Sequence, residues 1–245
     1  MADLAVAPAR VSAHKPSRTA DRIFFSVMPF VMMAMVLYGF ARTYFLAGMV
    51  AAPLPNKLIH VHGAVFTSWM ILLIVQTALV ATKHVKWHMT LGLFGFGLAV
   101  AMVLLGTLAA VDAMRRGEGP LGLDAQTFFV IPITAMLLFG TLVFFAYKLR
   151  RNPEAHKRLI LMATMAIMDA VVGRWQHPAI LQRIPPTQDL VILALLLMLV
   201  VFDLFNLHRV SKYTWRGALL VIVVHVTRVP VGHTAAWHAM TRHLL

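Results

Sequence analysis

Apolar runs of 18 or more residues recur along this chain, separated by short polar segments rich in turn-forming residues. Each run is long enough to cross a bilayer as a helix. The pattern predicts seven spans, over residues 23–44, 59–81, 89–111, 126–147, 157–175, 189–207 and 217–236. All are expected to be helical, because lipid offers no water to an open backbone. The breaks carry Pro53 and Pro55, then Gly117, Gly119 and Pro120, then Asn152 and Pro153, then Pro178, Pro185 and Pro186, residue types that interrupt helices. The fifth span is the shortest, and an arrangement without it has six. The fold class is therefore an all-α integral membrane protein, a seven-transmembrane helical bundle. Residues 1–22 read as a basic cytoplasmic tail, 23–236 as the bundle and 237–245 as a short C-terminal tail.

Basic residues set the orientation. With the N-terminus inside, 14 of the 22 lysines and arginines fall on the inner side, which supports N-in, C-out. The first apolar run is longer than a signal-peptide core and lacks a clear cleavage site, so a retained helix is expected. Composition agrees: 60% of the 245 residues are hydrophobic and 13% charged, against about 25% charged in soluble domains. The net charge of +13 lies in loops facing anionic lipid rather than in one basic domain. The bilayer is thus the expected partner and nucleic acid is not. The chain has no cysteine, which excludes disulfides, thiolate metal sites, haem attached through cysteine and cysteine nucleophiles.

Histidines stand at the ends of the spans. His60, His62, His177 and His233 fall near the outer interface, and His84, His88, His156 and His208 near the inner one. His225 lies near mid-membrane. Two layers of imidazole on different helices are what a two-haem membrane cytochrome needs. In the outer layer the axial candidates are His62 with His177, His225 or His233. In the inner layer they are His88 with His156 or His208. His62, His88, His156 and His225 are the candidate metal ligands. Simple interfacial histidines are the alternative for both layers. His60 and His62 point to nearly opposite sides of a helix, and His62 is the deeper. Gly63 beside it allows close approach of a ring. His62, Trp69 and Gln76 are seven apart and share one face, expected to look into the bundle. Arg42 and Arg174 count among the cofactor-binding candidates, Arg42 through a haem propionate, with snorkelling to headgroups as its alternative. Gly92, Gly95, Gly97 and Gly106 suit close helix packing.

Two carboxylates lie in apolar surroundings, Asp169 and Asp203, and a buried aspartate needs a partner. Asp169, His225 and Arg228 are expected to form a polar network. It is either a proton relay or substrate contact, with Asp169 and Arg228 as catalytic candidates, or an interhelical clamp. Asp203 is expected to pair with Arg209 or His208. The terminal histidines 233, 238 and 243 drift around a helix and predict a solvated or interfacial tail. The 16 methionines, with Met162, Met165 and Met168 in a stripe, suit packing rather than copper binding. No P-loop, G-x-S-x-G, H-E-x-x-H or dinucleotide fingerprint occurs, so those routes gain no support.

Three local patterns carry a resemblance: His60-Val-His62-Gly with Trp69 and Gln76; His88 followed by Leu91-Gly92; and Glu154-Ala-His156-Lys-Arg158-Leu. They resemble little-characterised bacterial multi-pass proteins with histidines at helix starts, some associated with haem-copper oxidase assembly. The resemblance spans roughly residues 42–175. It implies a protein of the bacterial inner membrane near respiratory or haem biology, and points to His62, His88 and His156. The leading expectation is a protein binding b-type haem through histidines, with an electron-transfer or quinone-linked role and respiratory-chain proteins or quinone as partners. The alternative is a non-haem transporter or oxidase-assembly protein that handles protons or a metal through buried His and Asp. Whether it is an oxidoreductase is open at this stage.

Overall fold

The computed structural model describes residues 16–46, 56–119, 123–175 and 187–244, and all its regular structure among them is helical. The helices are α1 (Arg18–Phe40), continued by a π-helical turn (Ala41–Phe45), α2 (Lys57–Ala81), α3 (Val85–Arg115), α4 (Ala125–Lys148), α5 (Pro153–Ala166), α6 (Asp169–Val172), α7 (Thr187–Leu207), α8 (Lys212–Gly232) and α9 (Ala235–Thr241), which ends in a short 3-10 turn. Polar side chains start them. Ser17, Asn56, Asp124, Asn152, Ser211 and Thr234 each accept a backbone N–H of the first turn, satisfying donors that a helix leaves free. Asn152 is followed by Pro153, which lacks the N–H that would need a partner. The turn before α3 puts Lys83 at φ 65°, and the turn before α8 puts His208 at φ 55°.

Among the described residues six helices are long and apolar enough to cross a membrane, with mean hydropathies from 1.3 to 2.8. Their outer faces expose large apolar side chains, such as Phe94, Leu137, Phe205 and Val226. In water such a surface would aggregate, and in lipid it is the ordinary outer face of a bundle. The protein is accordingly consistent with a helical membrane bundle.

α1, α2, α3, α4, α8 and α7 pack in that order into a ring, and α7 returns to α1. The segment predicted as the fifth span fills the middle of the ring. It is broken into α5 and α6 at Ile167 and Met168, where backbone bonds tighten to the i+3 pattern. From Leu161 to Asp169 every residue is buried. Close approach to α5 and α6 uses glycine: a Cβ on Gly217 of α8 would sit 2.3 Å from Met162 Cε, and one on Gly39 of α1 would sit 2.6 Å from the Val171 carbonyl oxygen. The methionine stripe Met162, Met165 and Met168 is packing, each residue at most 1% exposed.

α5 and α6 run between two polar layers. At one end the starts of α1, α5 and α8 meet the end of α7: Ser17 N donates to Asn206 Oδ1 at 2.9 Å, and Lys157 pairs with Asp21. At the other end α6 meets the start of α7 and the end of α8. Most of the C-terminal segment is exposed, His233 and His243 included, and it is also anchored to the bundle. α9 docks on the start of α4, with Trp237 Nε1 donating to Gln126 O at 2.7 Å and His238 Nε2 lying 3.1 Å from Thr127 Oγ1. Trp237 and Thr241, between the histidines, supply the anchoring that the spacing did not reveal.

Candidate functional site

Two groups of functional side chains stand apart, one at each polar layer. At the end where α5 begins, the structure brings His88 of α3 and His156 of α5 together. Their ring centroids are 6.1 Å apart and the planes meet at 82°. His156 Nδ1 lies 3.0 Å from the Ala146 carbonyl oxygen, so it carries the proton and leaves Nε2 as the free ring nitrogen. The Gln76 amide reaches His88 from α2. Oriented to satisfy both its ends, its nitrogen lies 2.6 Å from His88 Nδ1 and its oxygen accepts from Gly92 N at 3.0 Å. In this orientation the amide donates to Nδ1, which places the proton of the neutral His88 ring on Nε2. His88 and His156 are both half-buried.

Two imidazoles from different helices thus stand beside one another at this end of the bundle. Two rings bound through Nε2 at about 2 Å each place their centroids about 6 Å apart, and a hydrogen bond at Nδ1 is the usual means of aiming such a ligand. His208, the other inner candidate, is exposed on the turn between α7 and α8.

The outer histidines are not gathered in the same way. His62 packs on Phe66, with ring centroids 4.1 Å apart, and its Nδ1 is buried without a partner. Gly63 does admit a ring at close range: a Cβ there would lie 2.5 Å from the Tyr44 ring. His225 is engaged elsewhere, as described below. His233 is exposed at the end of α8, and His177 lies outside the described residues. Trp69 faces inward as its spacing predicted, 5% exposed and donating to Thr164 Oγ1 at 3.2 Å. Arg42 is exposed on the π-helical turn. Arg174 donates to Ala170 O at 2.7 Å and lies over the Phe40 ring. His84 is exposed at the turn before α3 and bonds Thr82, so it does not pair with His88. Of the span-three glycines, Gly95 and Gly106 pack closely, whereas Gly97 has no atom within 4 Å of an added Cβ.

At the opposite end of the central segment Asp169 of α6, Asp189 of α7, and His225 and Arg228 of α8 converge. Arg228 donates to Asp169 Oδ2 through Nη1, and to Asp189 Oδ1 through Nη2 at 2.7 Å. His225 Nδ1 lies 2.8 Å from Asp189 Oδ1, and its Nε2 lies 3.8 Å from Asp169 Oδ2. The network expected from Asp169, His225 and Arg228 is thus present, with Asp189 added. Three possible ligand atoms, one from each of Asp169, Asp189 and His225, lie within 4.8 Å of one another. The Arg228 guanidinium already bonds both carboxylates and offsets one of their two negative charges.

The expected pairing of Asp203 needs correction. Asp203 is fully buried and pairs with Arg158 of α5, not with Arg209 or His208. It also accepts from Ser211 N at 3.1 Å and from Thr214 Oγ1 at 2.5 Å. Arg209 lies instead 4.0 Å from Glu154. A neighbour in sequence lost to a guanidinium delivered by the central helix, because the Arg158 side chain is buried beside Asp203 whereas Arg209 is exposed.

No protein-family model, curated protein or solved structure matches this chain.

Proposed function

We propose that this chain is a seven-pass protein of the bacterial inner membrane, N-in and C-out, that binds b-type haem between His88 and His156. In this reading it serves electron transfer, linked to quinone or to respiratory-chain proteins. One observation carries the proposal: two imidazoles from different helices stand at the spacing of axial ligands, with His156 Nδ1 held by a carbonyl. Bound haem would supply one-electron redox chemistry, which no amino-acid side chain here offers. The chain's own residues aim the ligands and keep water out. Ala146 O and the Gln76 amide set the ring orientations. The stacked Phe96 and Tyr147 rings, 4.5 Å apart, provide apolar cover between α3 and α4.

The test is an absorption spectrum of the purified protein, oxidised and then reduced with dithionite. The expected result is a Soret band with sharp reduced α and β bands at one haem per chain. His88→Ala and His156→Ala should each abolish the six-coordinate spectrum, and His62→Ala should leave it intact. A colourless protein from cells supplied with haem overturns the reading and leaves the polar cluster of α6, α7 and α8 as the functional centre.

A further inference from the structure

Arg158 and Arg228 are two buried arginines at opposite ends of the central segment, and their surroundings differ in one respect. Arg158 uses Nε, Nη1 and Nη2, and both oxygens of its partner Asp203 are bonded. In the other cluster three buried polar atoms have no hydrogen-bond partner: Asp169 Oδ1, His225 Nε2 and Arg228 Nε. Their side chains are 8%, 6% and 4% exposed. Each such orphan has lost its water without gaining a partner and destabilises the fold. A clamp serving only to join helices has no reason to leave three, as the Arg158–Asp203 pair demonstrates in the same molecule.

The three atoms specify what would satisfy them. Asp169 Oδ1 accepts. Arg228 Nε–H donates. His225 presents Nδ1 to a carboxylate, so Nδ1 carries a proton. Its Nε2 therefore accepts when the ring is neutral and donates when it is charged. A carbonyl cannot serve Asp169, and neither an ammonium nor a metal cation can accept from Arg228 Nε–H. A hydroxyl donates and accepts at once. We propose that Asp169, His225 and Arg228 bind an O–H group, which donates to Asp169 Oδ1 or His225 Nε2 and accepts from Arg228 Nε. Asp189 holds the imidazole in place and, 34% exposed, marks the way in. That O–H has two sources in a bundle of this kind: a trapped water, or the phenolic hydroxyl of a hydroquinone arriving from the lipid.

The full chain in lipid nanodiscs, with nitrogen-15 histidine, tests this. One arm records infrared difference spectra, wild type minus His225→Asn, in ordinary and oxygen-18 water. A bound water gives an O–H stretch that moves with the isotope. The other arm titrates decyl-hydroquinone and follows the His225 Nε2 resonance. A phenolic ligand gives a saturable shift, with affinity weakened about tenfold or more in Asp169→Asn, which loses the Oδ1 acceptor but keeps the His225 reporter, as expected for one buried hydrogen bond. His225→Asn keeps a donor towards Asp189. Should it fail to fold, Asp169→Asn serves, since its amide oxygen still accepts from Arg228 while a donor replaces Oδ1. An isotope-sensitive band or saturable variant-sensitive binding supports the site and names its source. Absence of both, or binding unchanged in the variants, overturns it. Neither readout depends on haem.

Discussion

Arg158 is 1% exposed and donates to Asp203, which is itself fully buried. Its other nitrogen reaches Glu154 O at 3.1 Å. A charge so placed cannot return to water when its partner is removed. Asp203→Ala is therefore expected to destabilise the fold by about 3–5 kcal/mol, whereas Arg158→Met combined with Asp203→Leu should cost much less. Equilibrium unfolding in mixed micelles checks this, and equal losses in the single and double variants would contradict it. The same scale explains what sequence reasoning found and missed. Asp169, His225 and Arg228 were legible because charged groups in apolar runs need one another. Asp189 was missed because it follows Pro185 and Pro186 at the start of an apolar helix, where an acidic residue ordinarily serves the helix end. The available signal was the i, i+3 pair His225 and Arg228, two cationic candidates on one face opposite a single known carboxylate.

The elements differ in how far their sequence describes them. α1 to α4, α7 and α8 follow the apolar runs closely. α5 opens with Pro-Glu-Ala-His-Lys-Arg, which lowers its hydropathy, yet it is the most enclosed helix of the bundle. Its polar residues are spent on neighbours rather than on solvent: Arg158 on α7, Lys157 on α1 and His156 on α4. Glycines mark which helices must touch. Gly39→Ala places a methyl group against the Val171 carbonyl of α6 and should destabilise by about 1–3 kcal/mol. Gly97→Ala meets open space on α3 and should stabilise by about 0.5–1 kcal/mol. Thermal unfolding of the two variants side by side distinguishes them, and similar shifts of either sign would refute the packing assignment.

For the whole molecule, the ring around α5 and α6 makes a prediction about sidedness. Because the central segment joins the two polar layers, the α7–α8 turn and the start of α5 lie at the same end, with Arg209 beside Glu154. The chain has no native cysteine, so single cysteines report directly. With a membrane-impermeant maleimide on intact spheroplasts, Glu118→Cys should label at once. Arg151→Cys and Arg209→Cys should label only after permeabilisation. External labelling of Arg209→Cys with protected Arg151→Cys would mean that the central segment does not cross, and the protein would have six passes. Membrane character, helical class and the position of nearly every helix were already present in the chain, because partition into lipid is a local sum over neighbouring residues. The ring order, the burial of α5, and the meetings of Arg158 with Asp203, His88 with His156, and Asp189 with His225 came only with tertiary packing. They depend on how each helix is rotated about its axis and which neighbour it faces, and that is decided by contacts between residues far apart in the chain.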